Sequence, residues 1–153
     1  MPVSLKELLA SKRLERHRTS ADEIAGLRRL IARDLNDAAV PGLSPDRTFA
    51  TAYNAALQLS KLALACAGYR VSASLPGHHQ TTFEAAKLVL GAASQQLTDY
   101  FETCRRKRNV IDYDYAEVVT ESDANELLKK AAEYQDLVEA WIAGNHPRYK
   151  FSA

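Results

Sequence analysis

The sequence is poor in the residues on which several common kinds of site depend. Its 153 residues include only two cysteines and six glycines. The cysteines, Cys66 and Cys104, lack the spacing of zinc ligands, and no glycine-rich loop that could cradle phosphates is present. A nucleophile elbow and the Glu-x-x-His pair of di-iron helical bundles are also missing. These absences argue against zinc modules, P-loop and dinucleotide-binding domains, and common hydrolase sites.

Long apolar runs and a strong net charge are absent as well. No stretch approaches the ~18 consecutive apolar residues of a membrane span, and the charged, amphipathic N-terminus is unlike a signal peptide. The net charge is +1, so any binding of a polyanion must come from a local patch. We therefore expect a cytoplasmic protein with no membrane partner.

What the sequence does contain are helix signals. Ser4, Ser20 and Thr81 each precede a glutamate by three residues, which is the pattern of a capping box. Ser44-Pro45 and the segment around Thr120 and Ser122 predict two further helix starts. Apolar residues follow these starts at helical spacing, whereas β-branched residues are too scattered to suggest a sheet. The predicted helices cover residues 5–17, 21–37, 45–68, 82–105 and 123–143.

The connections between these helices predict how they pack. Short linkers with Pro-Gly turns join the second helix to the third and the third to the fourth, so successive helices should run antiparallel. We therefore predict an all-α fold, an up-and-down four-helix bundle with an additional N-terminal helix, and a single domain over residues 1–153. Residues 107–119 are expected to form an ordered loop.

This arrangement predicts which functional groups lie together. The ends of the second and fourth helices and the starts of the third and fifth should share one pole of the bundle. Arg47 and the basic run are expected there, and the four histidines at the other pole, roughly 35 Å away along the fourth helix at ~1.5 Å per residue. Adjacent histidines such as His78 and His79 rarely coordinate one ion together. We expect neither a metal site nor a cofactor.

The most concentrated feature is the basic run and the tyrosines after it. This run comprises Arg105, Arg106, Lys107 and Arg108, and it is followed by Asn109, Tyr113 and Tyr115. In one interpretation, the cations only complement the dipole at the C-terminal end of a helix. In the other, the cations, amide and aromatic faces bind a phosphate–ribose backbone, with Arg47 contributing from the same pole. Tyr53 is interpreted either as a core residue or as part of the lining of such a cleft.

The segment from Arg108 to Tyr113, at the end of a long helix, resembles the motif of the HEPN superfamily (higher eukaryotes and prokaryotes nucleotide-binding domain). That motif is an arginine, a polar residue, a short spacer and a histidine. The stretches at residues 53–64 and 76–81 are also similar to small stand-alone bacterial members. By position, Arg108 is the motif arginine, Asn109 its polar partner, and Tyr113 occupies the place of the histidine. Tyr115 matches a tyrosine found two residues later in some toxin members.

The resemblance implies a HEPN-like bundle, a homodimer whose two motif regions share one cleft, and binding of RNA or a nucleotide. Many members are metal-independent endoribonucleases of toxin–antitoxin pairs, whose partner is a nucleotidyltransferase antitoxin. We expect Arg108, Asn109 and Tyr113 to be the catalytic residues. The expected substrate-binding residues are Arg105, Arg106, Lys107, Tyr115 and Arg47. We also expect alanine-rich helix faces, such as those of Ala55, Ala56 and Ala63, to pack against the second copy.

Tyr113 departs from the family pattern in a way that leaves two hypotheses open. A tyrosine with a pKa of ~10 can donate a proton at pH 7 but is a poor base, whereas histidine, with a pKa of ~6.5, serves as both acid and base. The first hypothesis is an RNA- or nucleotide-binding domain with metal-independent ribonuclease activity. The alternative is a non-catalytic, homodimeric interaction protein that binds a partner protein or a nucleotide.

Overall fold

The structure is a computed structural model that describes residues 3–113 and 119–152, with side chains for all of these except residues 110–113. Most of the described chain is helical, which confirms the all-α prediction. Among the described residues, no helix combines the length and the apolarity that crossing a membrane requires. In chain order, the elements are α1 (Leu5–Ala10), β1 (Leu14–Arg16), α2 (Ala21–Ala38), α3 (Pro45–Ala67), β2 (Tyr69–Val71), α4 (His78–Leu90), α5 (Gln95–Tyr113) and α6 (Glu121–Asn145).

Four helices begin at the side-chain caps that the sequence predicts. The hydroxyl oxygens of Ser4, Ser20, Ser44 and Thr120 each accept a hydrogen bond from the backbone N–H three residues later. Each bond satisfies a donor that the first turn of a helix otherwise leaves without a partner. These caps confirm where α1, α2, α3 and α6 begin.

The helix start predicted at Thr81 is wrong. Helix α4 begins at His78, and the residue before it, Gly77, has a φ of +75° and supplies no side-chain cap. Glycine adopts this left-handed conformation at little cost, so the Pro76-Gly77 turn begins the helix earlier than the threonine would. Thr81 is instead buried within α4. Both adjacent histidines therefore lie in the first turn of α4.

Helix α3 is the centre of the fold. It packs against α2, α4, α5 and α6, and buried residues occupy most of its circumference. Ala55, Ala56 and Ala63 are 0% exposed because they are covered by the chain's own helices. The expectation that these alanines pack against a second copy is therefore wrong, since they present no surface to a partner.

Helix α2 lies antiparallel to α3 on one side of the core. Leu27, near the start of α2, lines the same groove as Leu64, near the end of α3. At the opposite end, Asp37 of α2 lines a groove with Arg47 of α3. The Pro41-Gly42 turn between the two helices reverses the chain, as the sequence predicts.

Helix α6 covers another side of α3 and is tied to it by a buried polar pair. The hydroxyl groups of Tyr134 and Ser60 are 2.8 Å apart and hydrogen-bonded, and both residues are 0% exposed. Arg28 of α2 donates two hydrogen bonds to Glu139 of α6, at 2.9 Å and 2.7 Å. This bidentate pair joins the two helices that flank α3.

The fourth predicted helix is in fact two helices that meet at Gly91. Gly91 has φ +89° and ψ −171°, a conformation that is essentially restricted to glycine and that ends α4. After one 3₁₀ turn, α5 folds back antiparallel along α4. The Lys87 ammonium lies 3.1 Å from the Asp99 carboxylate, and the ring centroids of Phe83 and Phe101 are 5.7 Å apart.

The fold-back at Gly91 changes which residues of this segment are buried. In the single helix predicted over residues 82–105, Ala93 would lie on the apolar face, but in the structure it is exposed. Phe101, which lies outside that face, is 0% exposed. The predicted apolar face requires one continuous helix. Because the chain reverses at Gly91, α5 turns a different set of its residues towards α3.

The N-terminal segment contains a shorter helix than the sequence predicts, followed by a short strand that the sequence does not predict. Helix α1 ends at Ala10 rather than at residue 17, and Lys12 adopts a φ of +63°. The chain then forms β1, which pairs antiparallel with β2, so that Leu14 lies opposite Val71. Strands of three residues carry too little alternation to be recognised in the sequence.

The loop predicted at residues 107–119 is also largely helical. Helix α5 continues through Tyr113, which places the whole basic run inside a helix. Residues 114–118, including Tyr115, lie outside the described residues. The basic run therefore ends more than one turn before the helix does.

Candidate functional site

The basic run does not form one continuous patch. Consecutive residues of an α-helix point about 100° apart, so four consecutive cations spread around α5. The Arg105 guanidinium donates to Glu102 at 2.7 Å, and the Lys107 ammonium donates to Asp123 of α6 at 3.1 Å. Arg106 is exposed and makes no ion pair with a described residue. Arg108 contacts Tyr53 and Asn54 of α3.

Arg108 is held against the middle of α3 by an aromatic ring and an amide. Its guanidinium carbon lies 5.8 Å from the centroid of the Tyr53 ring, within the range of a cation–π contact. Its Nη2 donates to Asn54 Oδ1 at 3.4 Å. The arginine is half-buried, so the guanidinium has a fixed orientation but remains within reach of solvent.

Tyr53, on which Arg108 stacks, is a buried residue with an unusual polar end. It is 0% exposed, and its hydroxyl has no hydrogen-bond partner among the described residues. Burial, and next the negative charge of Glu102, raise the pKa of this hydroxyl. Tyr53 is therefore protonated at physiological pH. The sequence suggested either a core residue or a residue that lines the site, and Tyr53 is both, because it is buried in the core and its ring contacts Arg108.

His79 lies close to the same ring, which overturns the predicted separation of this histidine from the basic run. Its imidazole centroid is 6.0 Å from the centroid of Tyr53, and its neighbour His78 packs edge-on at 4.6 Å. The fold-back at Gly91 brings the first turn of α4 beside the last part of α5. A histidine of the same chain therefore lies close to Arg108.

The surroundings of His79 favour its neutral form. Burial is the largest influence, followed by the positive charges of His78, Lys61, Arg108 and Arg105, and together they lower its pKa to about 4. A cation that lies among other cations and is partly desolvated loses its proton more readily. The imidazole is therefore neutral above about pH 5, and its ring nitrogens make no hydrogen bond to a described residue.

The first turn of α4 adds to the positive potential at this place. No side chain caps the helix at Gly77, so its first backbone N–H groups have no partner from a capping side chain. Such a terminus carries a partial positive charge that favours anions. The positive charges of Lys61 on α3 and of Arg108 on α5 also act on His79 in this turn.

Glu102 limits that potential on one side. One carboxylate oxygen accepts the hydrogen bond from Arg105, and the other is buried without a hydrogen-bond partner among the described residues. Glu102 lies six residues before Arg108 on α5. Its pair with Arg105 neutralises that arginine locally.

The remaining predicted site residues are only partly assembled by the structure. Asn109 is half-buried beside Arg108. Tyr113 is the last residue of α5, but its side chain, like all of Tyr115, lies outside what the structure describes. Arg47 is exposed in a separate groove with Asp37 and Val40, so it does not line the site around Tyr53.

The other two histidines lie at the opposite end of the helices. His17 is paired with Glu23 at 2.7 Å, and His146 packs on Trp141 with ring centroids 4.9 Å apart. Within residues 3–113 and 119–152, no group of three or more His, Cys, Asp or Glu side chains is placed to hold a metal ion. The predicted separation holds for these two histidines and fails for His78 and His79.

Comparisons with protein-family models, with curated proteins and with solved structures found no match to this chain. The site must therefore be understood from its own geometry. Arg108 is identifiable from the sequence, whereas the contributions of Asn54 and His79 are not among the predicted site residues. The signal that points to them is Gly91, because a glycine inside an apolar helical stripe can mark a place where the chain turns back.

Proposed function

We propose that this chain is a HEPN-type domain that binds RNA or a nucleotide, and that Arg108 is the centre of its phosphate-binding site. The observation that carries the proposal is the position of Arg108, which contacts the Tyr53 ring and donates to Asn54, with His79 near the same ring. An arginine guanidinium presents parallel N–H donors that match the oxygens of a phosphate. A fixed orientation reduces the entropy that binding would otherwise cost.

The extent of α5 supports a binding role over a capping role. Cations stabilise a helix through its dipole only within the last turn. Helix α5 ends at Tyr113, so Arg105 and Arg108 lie before that turn. Helix capping therefore does not account for the basic run.

The directions of the helices support the HEPN-type part of the proposal. Helices α2, α5 and α6 pack around α3, and α2 and α5 each run opposite to α3. We propose that these four helices form the family's bundle, with α1 as the additional N-terminal helix and α4 as an extra helix beside it. The homodimer and the nucleotidyltransferase antitoxin belong to this proposal through the family resemblance.

The alternative function is the binding of a partner protein without catalysis, and one observation favours it. Arg105 and Lys107 are already paired with carboxylates of their own chain, so part of the basic run is neutralised internally. A surface with alternating charges suits recognition of a folded partner as well as of a polyanion. Binding of RNA separates the two functions.

The experiment compares the substitution of an arginine that contacts α3 with the substitution of an exposed arginine on the same helix. Arg108→Ala removes the guanidinium that contacts Tyr53, and Arg106→Ala removes an exposed cation from the same turn of α5. Binding of fluorescein-labelled single-stranded RNA is measured by anisotropy over a range of salt concentrations. Circular dichroism checks that both variants keep the parent's helical content.

We expect Arg108→Ala to weaken binding by about tenfold or more, because hydrogen bonds to a charged group contribute ~1.5–3 kcal/mol. Arg106→Ala should change affinity less than about fivefold, as exposed charges contribute ~0.2–1 kcal/mol. The slope of log affinity against log salt should fall by about 0.7 for each phosphate that the variant no longer neutralises. Equal effects of the two substitutions contradict the proposed site. A parent protein that binds no RNA favours the partner-protein function.

A further inference from the structure

A cleft of about 240 Å³ lies between α2, α3 and β2. Arg108, Tyr53 and His79 do not line it, so it is distinct from the site described above. Its volume is just below the range of roughly 300–1,000 Å³ that is typical of pockets for drug-sized ligands. An occupant of this cleft would therefore be a small molecule.

The innermost residues of the cleft are apolar. Leu64 and Ala65 of α3 are 1% and 4% exposed, and Leu27 of α2 and Val71 of β2 are half-buried. An alkyl chain placed between these side chains would remove apolar surface from water on both partners, which is favourable. The interior of the cleft therefore favours a hydrocarbon group over a wholly polar ligand.

The rim of the cleft is charged, and cations outnumber carboxylates among the described residues that line it. Lys61 is exposed and makes no ion pair with a described residue. Arg70 pairs with Glu15 at 2.9 Å, but both side chains are largely exposed, and such pairs contribute little. The carboxylate on the rim, Glu23, is already hydrogen-bonded to His17 at 2.7 Å. The rim therefore offers a negatively charged ligand the ammonium of Lys61.

We infer that this cleft binds a short-chain carboxylic acid, with its carboxylate at Lys61 and its alkyl chain between Leu27 and Leu64. Lys61 and Leu64 are three residues apart on α3, so their side chains are neighbours on one face of the helix. An acid with a few carbon atoms has its charge and its apolar group in the same order. A wholly polar anion would leave the apolar walls in contact with water. This site is independent of RNA binding at Arg108.

The dependence of affinity on chain length is the signature of such a site. Each methylene removed from water should tighten binding about fourfold. Butyrate and hexanoate differ by two methylenes, so hexanoate should bind about 15-fold more tightly than butyrate. Attraction to the ammonium of Lys61 alone would give the two acids equal affinities.

The test titrates butyrate, hexanoate and hexanamide into ¹⁵N-labelled protein at constant ionic strength, and ¹H–¹⁵N NMR spectra follow the binding. Hexanamide carries the alkyl chain of hexanoate without its charge. Lys61→Met removes the ammonium and keeps an unbranched side chain. Lys129→Met is the matched control, because Lys129 is exposed on α6 and does not line the cleft. The same spectra show whether both variants keep the fold of the parent.

We expect hexanoate to bind saturably at millimolar concentrations and to shift the amide resonances of Tyr69, Arg70 and Val71, which line the cleft from β2. It should bind about fivefold more tightly than hexanamide, because the ion pair lies at an exposed rim. Lys61→Met should weaken the binding of hexanoate by about the same factor and leave hexanamide unchanged. Lys129→Met should bind both ligands like the parent.

Three results would overturn the inference. The absence of saturable binding of hexanoate to the folded parent refutes the site itself. Equal affinities of butyrate and hexanoate, or of hexanoate and hexanamide, refute the combination of an alkyl pocket with a carboxylate position. Equal effects of Lys61→Met and Lys129→Met refute the assignment of Lys61. None of these results bears on RNA binding at Arg108, so the two proposals fail separately.

Discussion

Replacing Gly91 with alanine tests the feature that assembles the site. Gly91 has φ +89° and ψ −171°, and a residue with a side chain adopts such a conformation only at a cost of about 1–3 kcal/mol. A Cβ atom added at this position would meet nothing within 4 Å. The cost therefore comes from the backbone alone, and we expect Gly91→Ala to lower the free energy of unfolding by about 1–3 kcal/mol.

Gly26 provides a matched control within α2. It has no positive φ, and an added Cβ would meet only the far end of the Arg29 side chain, at the ordinary contact distance of 3.7 Å. Alanine is favoured over glycine inside helices by up to about 1 kcal/mol. Gly26→Ala should therefore stabilise the protein by several tenths of a kcal/mol or more. The same chemical change should have opposite signs at the two glycines.

Equilibrium unfolding in urea, followed by circular dichroism at 222 nm, measures both effects. Comparable denaturant slopes in parent and variants would show that the change lies in stability rather than in the compactness of the unfolded state. A Gly91→Ala variant as stable as the parent, or stabilised like Gly26→Ala, would refute the helix break. In that case α4 and α5 would be one helix, and His79 would lie some 40 Å from Arg108 at ~1.5 Å per residue.

Two further predictions concern buried groups elsewhere in the chain and at the site. Tyr134→Phe removes the hydroxyl that lies 2.8 Å from Ser60 Oγ and leaves the serine buried without that partner. The free energy of unfolding should therefore fall by about 1–3 kcal/mol. Adding Ser60→Ala should recover part of that decrease, because the unpaired hydroxyl is then removed. Full additivity of the two substitutions in urea unfolding would contradict this pairing. The pKa of His79 is lowered to about 4 in the folded chain and is ~6.5 in the unfolded chain. Between these two pH values the unfolded chain binds more protons, so the free energy of unfolding should fall as pH drops from 6.5 towards 4. The decline in Tm over this range should be smaller in His79→Asn, and parallel curves for parent and variant would contradict the lowered pKa.

The starts of α1, α2, α3 and α6 were predictable from the sequence because each is determined by neighbouring residues. The hydroxyl of a serine or threonine just before a helix accepts a hydrogen bond from the backbone N–H three residues later. This bond forms whatever the helix packs against. For this reason Ser4, Ser20 and Ser44 cap helices as predicted. Of the two caps that the sequence offers for the last helix, Thr120 and Ser122, it is Thr120 that caps α6. The all-α class follows in the same way from the spacing of apolar residues.

The fold-back and the site could not be predicted in this way because they depend on contacts between distant segments. The apolar spacing continues through Gly91, so periodicity alone favours one long helix. The packing of Phe83 against Phe101 and the ion pair between Lys87 and Asp99 stabilise the reversed arrangement. Arg108 was identifiable from its motif, whereas Asn54 and His79 become part of the site only through that reversal.

The most direct test of the account is the protonation of His79 in the presence of RNA. Imidazole resonances of ¹⁵N-histidine-labelled protein are followed by NMR through a pH titration, with and without a 2′-O-methyl RNA. A phosphate bound between Arg108 and His79 places negative charge beside the imidazole, so the pKa of His79 should rise from about 4 when RNA is bound. The resonances of His146, which packs on Trp141 at the opposite end of the helices, should be the same with and without RNA. An unchanged His79, or equal shifts at His79 and His146, would contradict a phosphate site at Arg108.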